Sequence, residues 1–90
     1  MRFMAEFLIL TSIVGSRERS APFREAHLSY MASLKKDGKL VIAGRFADGG
    51  GGGYILKANN ADEAKALADR DPYHSNGARS YTMREWETRF

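Results

Sequence analysis

Apolar residues crowd the stretch "AEFLILTSIV", Ala5 to Val14, where Glu6 is the single charge, and this predicts a β-strand covered on both sides. "GSRERS" then reads as a turn. From Phe23 the spacing changes: Phe23, Ala26, Tyr30, Met31 and Leu34 recur at three- and four-residue intervals, the buried face of a helix. Ser20 or Ala21 is the expected cap, Pro22 is tolerated in a first turn that has no N–H bond to lose, and Gly38 ends the helix after Asp37. "KLVIAGRFA" predicts a second strand, "DGGGGG" a loop and "YILKA" a third strand, which together make a hairpin. In "NNADEAKALADRDP", Asn60 is the expected N-cap and Glu63 completes a capping box. Ala64, Leu67 and Ala68 share a face there, and Pro72 enforces the stop. "RSYTMREWE" alternates as a closing strand, with Tyr81 and Met83 on one side and Thr82 and Trp86 on the other.

The order β-α-β-β-α-β predicts an α+β domain over residues 1–90, the ferredoxin-like arrangement with a four-stranded antiparallel sheet. Both helices then cover one face of the sheet. Strand one is apolar on both, with Phe7, Ile9 and Ile13 on one side and Leu8, Leu10 and Val14 on the other. A bare apolar face predicts a homodimer stacked through it. Chain direction has a second consequence. The first turns of helix one and the exit of helix two fall at the same end of the domain, together with the glycine hairpin and the arginine-bearing turn after strand one.

Composition narrows the function classes. A chain of 90 residues buries only about 60–65% of its unfolded surface, so stability is expected to be modest. The absence of cysteine removes disulfides and thiolate metal sites and suits the reducing cytoplasm, the expected location. The longest apolar run is far shorter than the ~20 residues of a membrane span. Arg2 ahead of that run imitates a secretory signal, but no small-residue cleavage site follows, so neither a targeting segment nor a membrane partner is expected. The 14 basic and 11 acidic residues, net charge +3, are interleaved, which argues against nucleic acid. The aromatics also fail to supply the stacking pattern of an RNA-recognition sheet on strands one and three. Arg17, Arg19 and Arg24 form the densest basic group, either a solvated surface or an anion-attracting rim.

Two residues stand out chemically. His27 lies four residues after Phe23 and three before Tyr30, on the apolar helix face, where a leucine packs better. Taken alone it fits a core histidine bonded to a backbone carbonyl, and Asp71 taken alone fits a helix stop. The topology delivers both to one end of the domain. A carboxylate that accepts a proton from one ring nitrogen fixes the tautomer and raises the basicity of the other, which suits acid/base work near neutrality. The remaining candidates are weaker. The glycine run joins two strands and lacks the Lys-Ser/Thr of a phosphate loop, which favours a hairpin tip or lid. His74 is expected in an exposed loop, no metal spacing is evident, and no nucleophile elbow surrounds Ser12, Ser29 or Ser75.

In their order, several segments resemble the YCII-related (YciI-like) proteins. These are "RxxH" at Arg24 and His27 with Tyr30 after it, "DGKLVIAG" from Asp37, the glycine-rich hairpin, "DEAKALADRDPY" from Asp62, and Trp86 in the closing strand. The resemblance implies a ferredoxin-like fold paired into a dimeric α/β barrel, with an active site on His27 and Asp71. Relatives by fold include isomerases and dehydrohalogenase-type enzymes acting on small, often cyclic molecules. Arg45 departs from the proline that commonly follows the "AG" of strand two, and the run Gly49 to Gly53 is unusually rich in glycine.

The expectation is therefore a small cofactor-independent enzyme, needing neither cofactor nor metal. His27 acts as general acid/base and Asp71 orients it. Arg24 or Arg45 holds an anionic substrate group, Tyr30 and Tyr73 contact the substrate, and Tyr30, Tyr54 and Tyr73 are read as packing or pocket wall and not as acid catalysts. The alternative is a non-catalytic small-molecule binder or stress-related accessory domain of the same fold, which needs the same pocket.

Overall fold

The computed structural model describes residues 4–90, so Arg2 lies outside the described residues. Four strands, β1 (Ala5–Ile13), β2 (Leu40–Arg45), β3 (Gly51–Ala58) and β4 (Arg79–Trp86), form one antiparallel sheet in the order β2-β3-β1-β4. This is the ferredoxin-like α+β arrangement. The helices are α1 (Arg24–Lys36), α2 (Ala61–Asp69) and a single turn, α3 (Pro72–Ser75). No helix among the described residues is long and apolar enough to cross a membrane.

Alternation along β1 sorts its side chains as expected: Phe7, Ile9 and Thr11 are buried under the helices, while Leu10 on the opposite face is 40% exposed. Ile9 packs with Leu56, Met31, Leu34 and Leu67, so β1, β3, α1 and α2 share one core. Phe7 closes a second cluster with Ala58 and Ala64. Small residues on α2 bring that helix close to the sheet. Asn60 caps α2 as its position predicts, its Oδ1 accepting from Glu63 N–H at 2.8 Å.

Three details differ from the sequence-based expectation. First, α1 starts at Arg24, preceded by 3₁₀ turns at Arg17–Arg19 and Ala21–Phe23, and neither Ser16 nor Ser20 makes a side-chain cap bond. Pro22 initiates the second of these turns instead of the α-helix. Ala26 is exposed, so the buried stripe of α1 comes down to Met31 and Leu34, with Phe23, His27 and Tyr30 half-buried.

Second, β3 begins three residues early. Gly51, Gly52 and Gly53 pair with Ser12, Thr11 and Leu10 across one edge, and Gly52 and Gly53 pair with Arg45 and Gly44 across the other. Glycine has poor strand propensity, which is why the run reads as loop. Here it is required: Gly51 has φ +140°, and a Cβ on it would run into the Thr11 carbonyl oxygen, while one on Gly52 would run into that of Gly44. Third, the exit from α2 is not a loop: Pro72–Ser75 form the short helix α3, and Asp71 serves as its N-cap.

Candidate active site

Asp71 has to leave α2 extended because Pro72 follows it, and its φ −57° and ψ 124° reflect that restriction. The turn aims the carboxylate inward, where it is fully buried. Oδ1 accepts the Tyr73 backbone N–H at 2.9 Å, and Oδ2 accepts the Tyr54 hydroxyl at 3.1 Å. From the second turn's start on α1, His27 reaches the same carboxylate, with Nδ1 2.9 Å from Oδ1 and 3.0 Å from Oδ2. The end of the domain that chain direction assigns to both residues is therefore where they meet.

The electrostatics follow from this geometry. Burial alone pushes the Asp71 carboxyl up. The His27 hydrogen bond and charge, the Tyr73 N–H and the nearby His74 outweigh that push and hold it below the usual aspartate value. An ionised carboxylate can only accept, so Nδ1 of a neutral His27 carries the proton and Nε2 is left with its lone pair. No protein group among the described residues bonds Nε2. Burial first, then the Asp71 charge, drives the Tyr54 hydroxyl far above its ordinary value, so it remains a donor to Asp71. The Tyr73 ring stacks on the imidazole at 4.3 Å between centroids and 26° between planes, which fixes the ring orientation.

His27 and Tyr73 line a cavity of about 420 Å³ between α1, the turns after β1 and the glycine end of β3. That volume is in the range of small-molecule sites. Arg24 and Arg45 line it as well, both exposed toward its mouth. Tyr30 does not. Its hydroxyl donates to the Leu67 carbonyl at 2.6 Å, so it ties α1 to α2 beside the core instead of facing the cavity. His74 is half-buried, not a free loop residue: Nδ1 donates to the Ala68 carbonyl at 2.7 Å and the ring packs on Tyr81. Among the described residues no cluster of three metal-ligating side chains forms, and His74 Nδ1 is taken up by the Ala68 carbonyl.

Arg79 and Ser20 are site residues to which the sequence assigns no chemistry, while Tyr54 and Arg17, expected as packing or pocket wall and as part of the basic group, take more specific places than that. Tyr54 is the first side chain after the glycines and, with Leu56 and Ala58, points under the helices. Arg79 shares strand parity with Tyr81 and Met83, so alternation places a cation on the inward face, and that mismatch was a legible signal. Ser20 lines the cavity without capping anything. Arg17 belonged to the noted basic group, and its guanidinium lies against Gly49. A Cβ there would come within 2.6 Å of Nη2, so the turn after β1 and the hairpin tip meet at the cavity mouth.

The fold and the site define a ferredoxin-like α+β protein with a cavity at one end of its sheet and a carboxylate–imidazole pair, the carboxylate fully buried, beside it. The YCII-related domain matches residues 4–87, and the chain belongs to that family, as its motifs lead one to expect. It is 27% identical over 88 residues to the uncharacterized protein YjpA of Bacillus subtilis, covering 93% of this chain and 96% of that one. Among solved structures it resembles TftG, the 5-chloro-2-hydroxyhydroquinone dehydrochlorinase of Burkholderia phenoliruptrix, in complex with 2,5-dihydroxybenzoquinone. The TM-score is 0.79 at 25% identity, over 91% of this chain and 93% of that chain. It also shares its fold with SnoaB, a cofactor-independent oxygenase of Streptomyces nogalater, with TM-score 0.56 and 9% identity over 99% and 96% of the two chains. The fold is thus one that houses small-molecule enzymes.

Proposed function

We propose that the protein is an enzyme that moves protons on a small, cyclic, hydroxylated substrate, with His27 as general acid/base and Asp71 as the group that orients it. The observation that carries this is the Nδ1–carboxylate bond at 2.9 Å, which leaves Nε2 as a base in the wall of the cavity. Nε2 takes a proton from a ligand O–H or C–H, and Asp71 stabilises the imidazolium that forms. The electron pair left on the substrate either expels a leaving anion or draws the proton back at another atom, which gives elimination or isomerisation. The dehydrochlorinase activity of TftG and its quinone ligand support the elimination branch.

The test is chloride release from 5-chloro-2-hydroxyhydroquinone, followed with a chloride electrode. Catalysed release is expected. Tight binding of the compound without any turnover is the result that would leave a ligand-binding protein instead.

The same proposal includes a homodimer. Leu10, Ile42 and Trp86 on the uncovered sheet face are 40%, 62% and 44% exposed, and Leu8 and Ile55 lie half-covered between them. A second copy stacked on this face removes that area from water. Sedimentation velocity is expected to give the dimer mass for the native chain and the monomer mass for an Ile42→Lys, Leu10→Lys double variant. A native monomer at micromolar concentration contradicts the pairing.

A further inference from the structure

We propose that the cavity selects an anionic ligand, and that Arg79 together with Ser20 binds its ionised oxygen. The inference deepens the proton-transfer function, on which it rests for the position of the ligand. Arg79 opens β4 opposite Ile13 and turns into the cavity wall. Its Nη1 donates to the buried Thr11 Oγ1 at 3.2 Å, while Nε is buried without a partner. Its guanidinium carbon lies 3.9 Å from the centroid of Tyr73, the ring that also stacks on His27. Among the described residues the ion pairs are His27–Asp71, Lys65–Asp69 and Arg89–Glu87, so no carboxylate neutralises Arg79.

Ser20 is a second, independent observation. It is 5% exposed, lines the same cavity, and its Oγ is buried with no hydrogen-bond partner. A buried donor without an acceptor is costly, and the Ser20 hydroxyl and the Nε of Arg79 are both such donors. No aspartate or glutamate belongs to the cavity lining, whereas Arg17, Arg24 and Arg45 join Arg79 there. One kind of guest satisfies all of this: a small planar molecule carrying an ionised oxygen, a carboxylate or an ionised hydroxyl on a ring. The guanidinium fork and the Ser20 hydroxyl complete their bonds on that oxygen. His27, Ser20 and Arg79 line one cavity, so a ligand held at the anion site shares the space that the imidazole borders. The exposed arginines at the mouth raise the local concentration of such anions.

The test is titration calorimetry on the full chain at neutral pH with two probes of the same ring. One is 2,5-dihydroxybenzoquinone, which is ionised, and the other is the neutral 2,5-dimethoxybenzoquinone. The native chain is expected to bind the anion at least about 10-fold more tightly. Arg79→Leu is expected to weaken the anion by about 10- to 100-fold and leave the neutral probe unchanged, and Ser20→Ala to weaken the anion by a smaller factor. Added salt should weaken only the anion. If Arg79→Leu does not fold, Arg79→Lys, which keeps the charge and loses the fork, is expected to show the same ordering with smaller factors. Equal native affinity for the two probes, no native binding of the anion, or unchanged anion binding in the Arg79 variants overturns the proposal. None of these outcomes touches the role of His27. That role fails separately, if chloride release survives its removal.

Discussion

Replacing Asp71 with alanine is expected to destabilise the domain by about 3–5 kcal/mol, the largest stability effect of any single substitution at the site. The carboxylate is fully buried and accepts from three donors on three different elements: the imidazole on α1, the Tyr54 hydroxyl on β3 and the Tyr73 N–H on α3. Alanine strands all three in the interior. A domain of this size has a total stability of about 5–15 kcal/mol, so the loss is a large share of it. Thermal melting should show a fall of more than about 10 °C.

Asp71→Asn is expected to fall less, because its amide oxygen still serves the Tyr73 N–H. The acid limb of the stability curve separates the two effects. The folded carboxyl is held below its ordinary value, so its stabilisation is present above about pH 4 and is lost as pH falls through the folded value. The native chain should therefore lose stability with acid more steeply than Asp71→Asn. Parallel acid limbs would contradict the ionised, hydrogen-bonded carboxylate.

Removing the imidazole should have the largest effect on activity. His27→Ala is expected to lower turnover by about 10²–10⁴-fold, the usual contribution of a positioned acid/base group, while ligand affinity changes little. The fold should survive, since His27 is half-buried and its face of α1 is anchored by Met31 and Leu34. Asp71→Asn should lose turnover too, although its histidine is intact, because a neutral partner no longer stabilises the imidazolium. Steady-state chloride release with matched binding titrations reads both. Full turnover in either variant removes the pair from the mechanism.

Much of the site was legible because it depends on features the chain spells locally. Alternation in β1 and β4, the Asn60 N-cap and the helical period around His27 fix the elements and their directions, and direction alone carries His27 and Asp71 to one end. Asp71 itself was half legible. The proline marks a stop, but α3, the helix that the carboxylate caps, is only four residues long, too short for any periodic signal. The glycines of β3 misled for a physical reason. Strand propensity reflects side-chain packing, whereas Gly51 and Gly52 are in the strand because neighbouring carbonyls leave no room for a side chain. Tyr30 shows the limit of face arguments, since it shares the helix face of His27 yet points its hydroxyl to α2. Arg79 and Ser20 become meaningful only when three elements close around one cavity, and tertiary convergence of that kind leaves little trace in local pattern.

Nitrogen-detected NMR of the His27 ring, on chain labelled at histidine and without ligand, tests the central claim most directly. At a pH where the ring is neutral, the account predicts a proton on Nδ1, coupled to the Asp71 carboxylate, and an unprotonated Nε2. A ring protonated on Nε2 and bare at Nδ1 would contradict it, because no base would then face the cavity.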